Sequence, residues 1–126
     1  MSRPCPDQPL TANHLMRQIA ERVTTLHRAA AAEGCRINPK SIAQCRYFFL
    51  AHRELGMPKI TLTPDETIRA RWIHGPGDFV AIEFTGEPLA KLIAEIPRGE
   101  GVTVRIFSSE LVDNIVPFAQ AIGISF

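Results

Sequence analysis

The 126-residue sequence is sparing in what usually announces a function. It has one tryptophan, one tyrosine and three cysteines, and its charges nearly cancel, with 14 Lys/Arg against 13 Asp/Glu. Apolar runs are only a few residues long, far short of the roughly 20 needed to cross a bilayer as a helix, so no membrane association is expected. The opening Met1-Ser2-Arg3-Pro4-Cys5-Pro6 has no apolar stretch of the kind a signal peptide carries. Cys5, Cys35 and Cys45 are an odd number and do not all pair within one chain, which favours a reduced, cytoplasmic setting. A 45% hydrophobic, 21% charged composition is that of an ordinary globular domain rather than a disordered chain, and the length suits one domain with its own core.

Motifs for chemistry are also missing. His14, His27, His52 and His74 and the three cysteines show no C-x-x-C, H-x-x-x-H or H-E-x-x-H spacing. Cys45 and His52 are seven residues apart on one expected helix, about 10 Å along its axis, too far to share a metal directly. No G-x-S-x-G elbow occurs, and Ser108-Ser109 is explained by helix capping. Asp65-Glu66 and Asp78 fall in turns, where acids are common for backbone reasons. The glycines at 75, 77, 86, 99 and 101 lack the strand–glycine–helix order of a phosphate cradle. The expectation is therefore no catalytic residue, no metal and no cofactor.

What is present is periodicity. Residues 1–10 hold Pro4, Pro6 and Pro9 without a repeat and read as a flexible arm; residues 11–126 read as one α+β domain. Leu15, Ile19, Val23, Leu26 and Ala30 recur at spacings of three and four, predicting a helix from Thr11 or Asn13 to Glu33, capped by one of those two residues and ended by Gly34. Asn38 and Pro39 open a second helix. Its apolar face is expected from Ile42, Cys45 and Phe49 together with Ala43, Tyr47 and Leu50, and Gly56 and Pro58 end it. The short link at 35–37 makes residues 11–56 an αα-hairpin.

Beyond Pro58 the period changes to two, over residues 59–107. Placing Trp72 opposite Val80 sets Ala70 opposite Ile82, Ile68 opposite Phe84 and Arg69 opposite Glu83, closing a three-residue loop at Gly75-Pro76-Gly77. The same rule pairs Leu62 with Ile68 and Ile60 with Ala70. It also pairs Ile96 with Val102, Ala94 with Val104 and Leu92 with Ile106. Three hairpins that agree on one buried face predict an antiparallel meander of about five strands. Residues 87–96 also fit a short helix through Leu89, Leu92 and Ile93; a strand is preferred because Val102–Phe107 needs a partner. A C-terminal helix is expected over 109–122, with Ser108 as cap, Leu111, Val112, Ile115, Phe118, Ala119 and Ile122 on its apolar side, and a kink at Pro117.

Two surfaces are candidates for binding. The sheet face opposite the core carries Arg69, Arg71, Ile73, Phe79, Arg105 and Phe107, with Ala81, Glu83, Lys91, Ile93, Glu95 and Thr103 among them. Arginine and aromatic side chains are what protein interfaces favour, and bare apolar residues there imply a protein partner or a second copy of the chain. Alternatively, a helix covers this face. The second surface follows from uneven charge: residues 1–60 hold nine Lys/Arg and four acids (+5), residues 61–126 five and nine (−4). Either the halves pair with each other, or the basic helices meet nucleic acid through Arg17, Arg22, Arg28, Arg46 and Arg53.

The stretch Thr61-Leu62-Thr63-Pro64-Asp65-Glu66-Thr67-Ile68-Arg69-Ala70-Arg71-Trp72, followed by Val80-Ala81-Ile82-Glu83-Phe84, resembles a pattern in small bacterial proteins of plasmids, phages and other mobile elements. In these, a Pro-Asp-Gly turn precedes a strand ending in tryptophan. Glu66 stands where the pattern has glycine, and the likeness covers residues 61–107. It implies an accessory or inhibitory role in toxin–antitoxin, anti-defence or plasmid-maintenance systems, and no functional residue is carried over.

Overall fold

A computed structural model describes residues 9–126. The order of elements is α1 (Pro9–Ala32), α2 (Pro39–Ala51), β1 (Lys59–Leu62), β2 (Ile68–Gly75), β3 (Asp78–Phe84), β4 (Leu89–Pro97), β5 (Thr103–Leu111), a 3-10 turn (Val112–Asn114) and α3 (Ile115–Ala121). The five strands form one antiparallel sheet in the order β1-β2-β3-β4-β5, so the molecule is α+β with the expected helical hairpin, meander and final helix. No described helix is long and apolar enough to cross a membrane. Most of the expected arm, residues 1–8, lies outside the described residues, and Pro9 and Leu10 already belong to α1. Thr11 and Asn13 are therefore inside the helix rather than at its cap.

Side chains with even numbers on β2, β3 and β4 enter a single core cluster. Ile68, Ala70, Trp72, Val80, Ile82, Phe84, Leu92 and Ala94 pack with Leu15, Ile19, Val23, Leu26 and Ala30 of α1. Phe48 and Phe49 of α2 and Ile115, Val116 and Ala119 of α3 join the same cluster. Phe48, Phe49 and Phe84 are fully buried, and their rings lie 5.1–6.3 Å apart at steep angles, within the range where aromatic pairs add to burial. Trp72 donates its indole N–H to the Gly56 carbonyl at 2.9 Å. No odd-numbered strand side chain belongs to the cluster, so the three helices all sit on the even face.

The pairings Ile60–Ala70, Leu62–Ile68, Ile68–Phe84, Arg69–Glu83, Ala70–Ile82 and Trp72–Val80 are as expected, and residues 89–97 form a strand. Several expectations are corrected. The β2–β3 hairpin closes on Pro76-Gly77 alone, because Gly75 pairs with Asp78 across a bulge after Ile73. The β4–β5 register is shifted by two residues, with a longer loop: Ile96 faces Val104, Ala94 faces Ile106 and Leu92 faces Ser108. Three successive left-handed residues, Gly99, Glu100 and Gly101, reverse the chain within 98–102, where Arg98 N–H reaches Val102 O at 2.8 Å. A slip of two keeps every side chain on its face, so alternation alone cannot detect it.

The final helix is shorter than expected. Ser108 and Ser109 lie in β5, because β4 runs back to Leu89 and pairs with β5 as far as Leu111; ladder bonds displace the local capping preference. Pro117 consequently falls in the first turn of α3, where an N–H has no helical partner in any case, and it introduces no kink. On α2 the buried face is Ser41, Cys45, Phe48 and Phe49. Ala43, Tyr47 and Leu50 are exposed.

Ser41 explains that rotation. Its hydroxyl sits between the first residue of β2 and the last of β3, accepting from Ile68 N–H at 2.8 Å and donating to Phe84 O. The surrounding residues fasten the same end of α2 to two turns. Glu66 accepts from Arg36 N–H through its carboxylate and from Asn38 N–H through its carbonyl, both at 2.8 Å. Gln44 accepts from Gly86 N–H at 3.0 Å and donates to Glu87 O at 2.6 Å. Gly86, at φ +82°, passes so close to α2 that a Cβ would lie 3.0 Å from Lys40 Cβ and 3.2 Å from Ser41 N.

Candidate partner-binding face

Strand register sorts the odd, outward side chains into cross-strand rows. The central row is Lys59, Arg71, Ala81, Ile93 and Phe107, from β1 to β5. On one side lies Thr61, Arg69, Glu83, Lys91 and Ser109, and on the other Ile73, Phe79, Glu95 and Arg105. Leu89 and Leu111 form a further pair at the end of β4 and β5. With the described helices all on the opposite face, Phe107 is 71% exposed and Ile73 55% exposed. No described helix covers this face. Ala81 is buried nonetheless, because it is the smallest side chain in a row of long ones.

All six outward residues expected from the sequence are on this face, but they play different parts. Arg69 is turned inward to Glu83: its Nη2 lies 3.4 Å from the Glu83 carboxylate, which is 7% exposed and also accepts from Thr67 Oγ1 at 3.3 Å. Thr67 is in turn bonded to Thr63 Oγ1 at 2.6 Å. Such a half-buried cation serves the carboxylate beneath it, since leaving that charge unpaired is costly. Arg71 stands over the Phe79 ring, 5.4 Å from its centroid, in cation–π geometry, and has no carboxylate within ion-pair distance among the described residues. Arg105 pairs with Glu95 at 2.8 Å but its side chain is 82% exposed, and exposed pairs of this kind are weak. The candidate surface is thus Arg71, Ile73, Phe79, Ile93, Arg105 and Phe107. Lys59, Leu89 and Leu111 extend it and were not among the expected residues. Lys59 and Leu89 lie within the expected meander, where strand parity turns them outward, whereas the expected final helix over 109–122 hid the parity of Leu111.

The basic helical residues do not form a comparable cluster. Arg22 is taken up by the fold, its Nε donating to Ile60 O at 3.0 Å. Arg17 and Arg28 are exposed on α1 with Glu21 on the same side, and Arg46 and Arg53 are exposed on and after α2. None of the described ion pairs, His52–Glu54, Arg69–Glu83 and Arg105–Glu95, joins the basic half to the acidic half.

The thiol nearest a histidine is unsuited to nucleophilic work. Cys45 is fully buried and desolvation pushes its pKa up to about 12, whereas a reactive cysteine needs thiolate near neutral pH. His52, nearly two turns beyond it, packs on Phe48 at 4.8 Å and pairs with Glu54 at 3.5 Å. No three His, Cys, Asp or Glu side chains converge as a metal site among the described residues. Tyr47 is exposed, and the neighbouring Asp113 carboxylate raises its pKa. A half-open hollow of about 200 Å³ lies between His74, Asp78 and Phe79 of the β2–β3 hairpin and Gly123–Ser125, where His74 Nε2 is 2.9 Å from Ser125 O. That contact ties the C-terminal segment to the hairpin. Comparison with known proteins gives no match to a family model, a curated protein or a solved structure.

Proposed function

We propose that this protein acts by capturing another protein on the outer face of its sheet, with no chemistry of its own. The observation that carries the reading is a sheet face that no described helix covers, with Ile73 and Phe107 exposed on it and a half-buried Arg71 stacked over Phe79. Rigid strands hold aromatic and guanidinium groups at fixed spacing there, which is the chemistry of interface hot spots. Arg71 and Lys59, next to each other in the central row, favour a partner that presents carboxylates beside apolar side chains. The resemblance of residues 61–107 to mobile-element proteins supports an accessory or inhibitory role for that capture, in the cytoplasm of a bacterium.

The test compares the wild-type chain with Arg71→Ala/Phe79→Ala for retention of a stoichiometric partner from the native host. Loss of that partner, with circular dichroism and melting unchanged, is the expected result. Unaltered capture by the double variant removes the face from consideration. A salt-dependent nucleic-acid shift abolished by changing Arg17, Arg28, Arg46 and Arg53 to alanine would replace the reading with the basic-helix one.

A further inference from the structure

The two edges of the sheet are finished differently. β1 is four residues long and its outward Ile60 carbonyl is occupied by Arg22. β5 is nine residues long, and none of the described hydrogen bonds reaches its outer edge. The turn bond from Arg98 N–H to Val102 O, followed by strict alternation along the unbroken β4–β5 ladder, directs the N–H and C=O groups of Arg105, Phe107 and Ser109 away from β4. A long bare edge is a template for another strand, and sheets ordinarily cover, shorten or charge such an edge. Of the two charges on β5, Arg105 lies back across the face toward Glu95, and Glu110 accepts from the Ser108 hydroxyl at 3.0 Å.

We infer that β5 pairs antiparallel with β5 of a second copy about a two-fold axis at Phe107, joining two sheets into one of ten strands. Phe107 is the midpoint of Thr103–Leu111, so only this register pairs the strand over its full length, with Thr103 opposite Leu111 and Arg105 opposite Ser109 of the second copy. Centring on Arg105 or Glu110 would set like charges opposite each other, which is destabilising. Centring on Phe107 sets the two most exposed large apolar side chains of the pair together and extends the central rows into a continuous Ile93–Phe107–Phe107–Ile93 band. On the helix side, Ile106 meets Ser108 and Val104 meets Glu110, again without like charges opposed. An isologous contact of this kind closes on itself and leaves no free β5 edge. The inference shares Phe107 with the candidate capture face but leaves its Arg71–Phe79 part open in both copies, so it does not rest on the capture role.

Sedimentation analysis of the full chain over a concentration series tests it. The expected result is a species of twice the 14.0 kDa chain mass, with slow amide exchange at Arg105, Phe107 and Ser109. Phe107→Glu, which sets the two copies' new carboxylates opposite each other across the axis without touching the core, should run as a folded monomer by sedimentation and circular dichroism. Ser109→Arg, opposite Arg105 of the second copy, should also dissociate, whereas Ser109→Glu at the same position should remain dimeric. A wild-type chain that is monomeric throughout, a dimer that survives Phe107→Glu, or identical behaviour of the two Ser109 variants would overturn the inference. The Arg71→Ala/Phe79→Ala capture result is read separately and changes none of these outcomes.

Discussion

Replacing Ser41 with alanine should destabilise the fold by far more than a small polar residue on a helix ordinarily does. The hydroxyl is fully buried and bridges Ile68 N–H and Phe84 O, joining α2 to β2 and β3 at once. Each lost hydrogen bond removes about 1 kcal/mol net, and a buried donor or acceptor left without a partner adds to that, about 1–3 kcal/mol each. The two strand groups face each other and recover part of the loss by closing directly. The expected destabilisation is therefore about 2–3 kcal/mol, or about 6–15 °C in Tm for a domain of this size. Urea unfolding should show a lower midpoint with unchanged slope, and the Ile68 amide should lose protection against exchange before the rest of β2. A variant within 0.5 kcal/mol of wild type, roughly the scatter of surface substitutions, would show that the strands close without help and that Ser41 is not what sets the rotation of α2.

Two other perturbations test the structure. Glu66 combines a left-handed backbone, φ 64°, with a side chain that accepts from Arg36 N–H; glycine there relieves strain of about 1 kcal/mol that alanine does not. Both substitutions lose the carboxylate contact, so Glu66→Ala should be less stable than Glu66→Gly by about 1 kcal/mol in chemical denaturation, and equal stabilities would refute the strain. For Cys45, burial raises the folded-state pKa from 9.0 to about 12, so the folded chain holds this proton more tightly than the unfolded one. Its contribution to stability is complete below pH 9 and declines as pH rises from 9 toward 12. Denaturation midpoints should fall across that window more steeply than in Cys45→Ala, and at neutral pH iodoacetamide should modify exposed Cys35 in the native protein but Cys45 only on unfolding.

The meander was legible because alternation is a local property with a global consequence: one residue of slip would turn Ile68, Ala70 and Trp72 to the other face. The first three strands therefore read correctly down to their partners. The fourth hairpin did not, since a slip of two leaves every side chain on its own face, and the choice rests on backbone angles at Gly99–Gly101. The same limit applied at Ser108-Ser109, whose capping chemistry is sound in isolation but loses to the ladder bonds that β4 offers. It applied again on α2, where Tyr47 and Leu50 fit an apolar stripe and the polar Ser41 did not, until two strand ends needed its hydroxyl.

Sequence by itself therefore determined the class of fold, the core face of the sheet, most of the helical stripes and the membership of the outer face, because hydrophobic periodicity encodes which side of each element is buried. Tertiary structure alone decided that the three described helices share one face and that none of them covers the other, that Arg69 serves Glu83 while Arg71 meets no carboxylate among the described residues, and that Arg22 finishes one sheet edge while nothing described finishes the other. Those outcomes depend on where whole elements sit relative to one another. That placement is set by a few long-range bonds, from Arg22, Ser41, Gln44 and Glu66, that no local pattern announces.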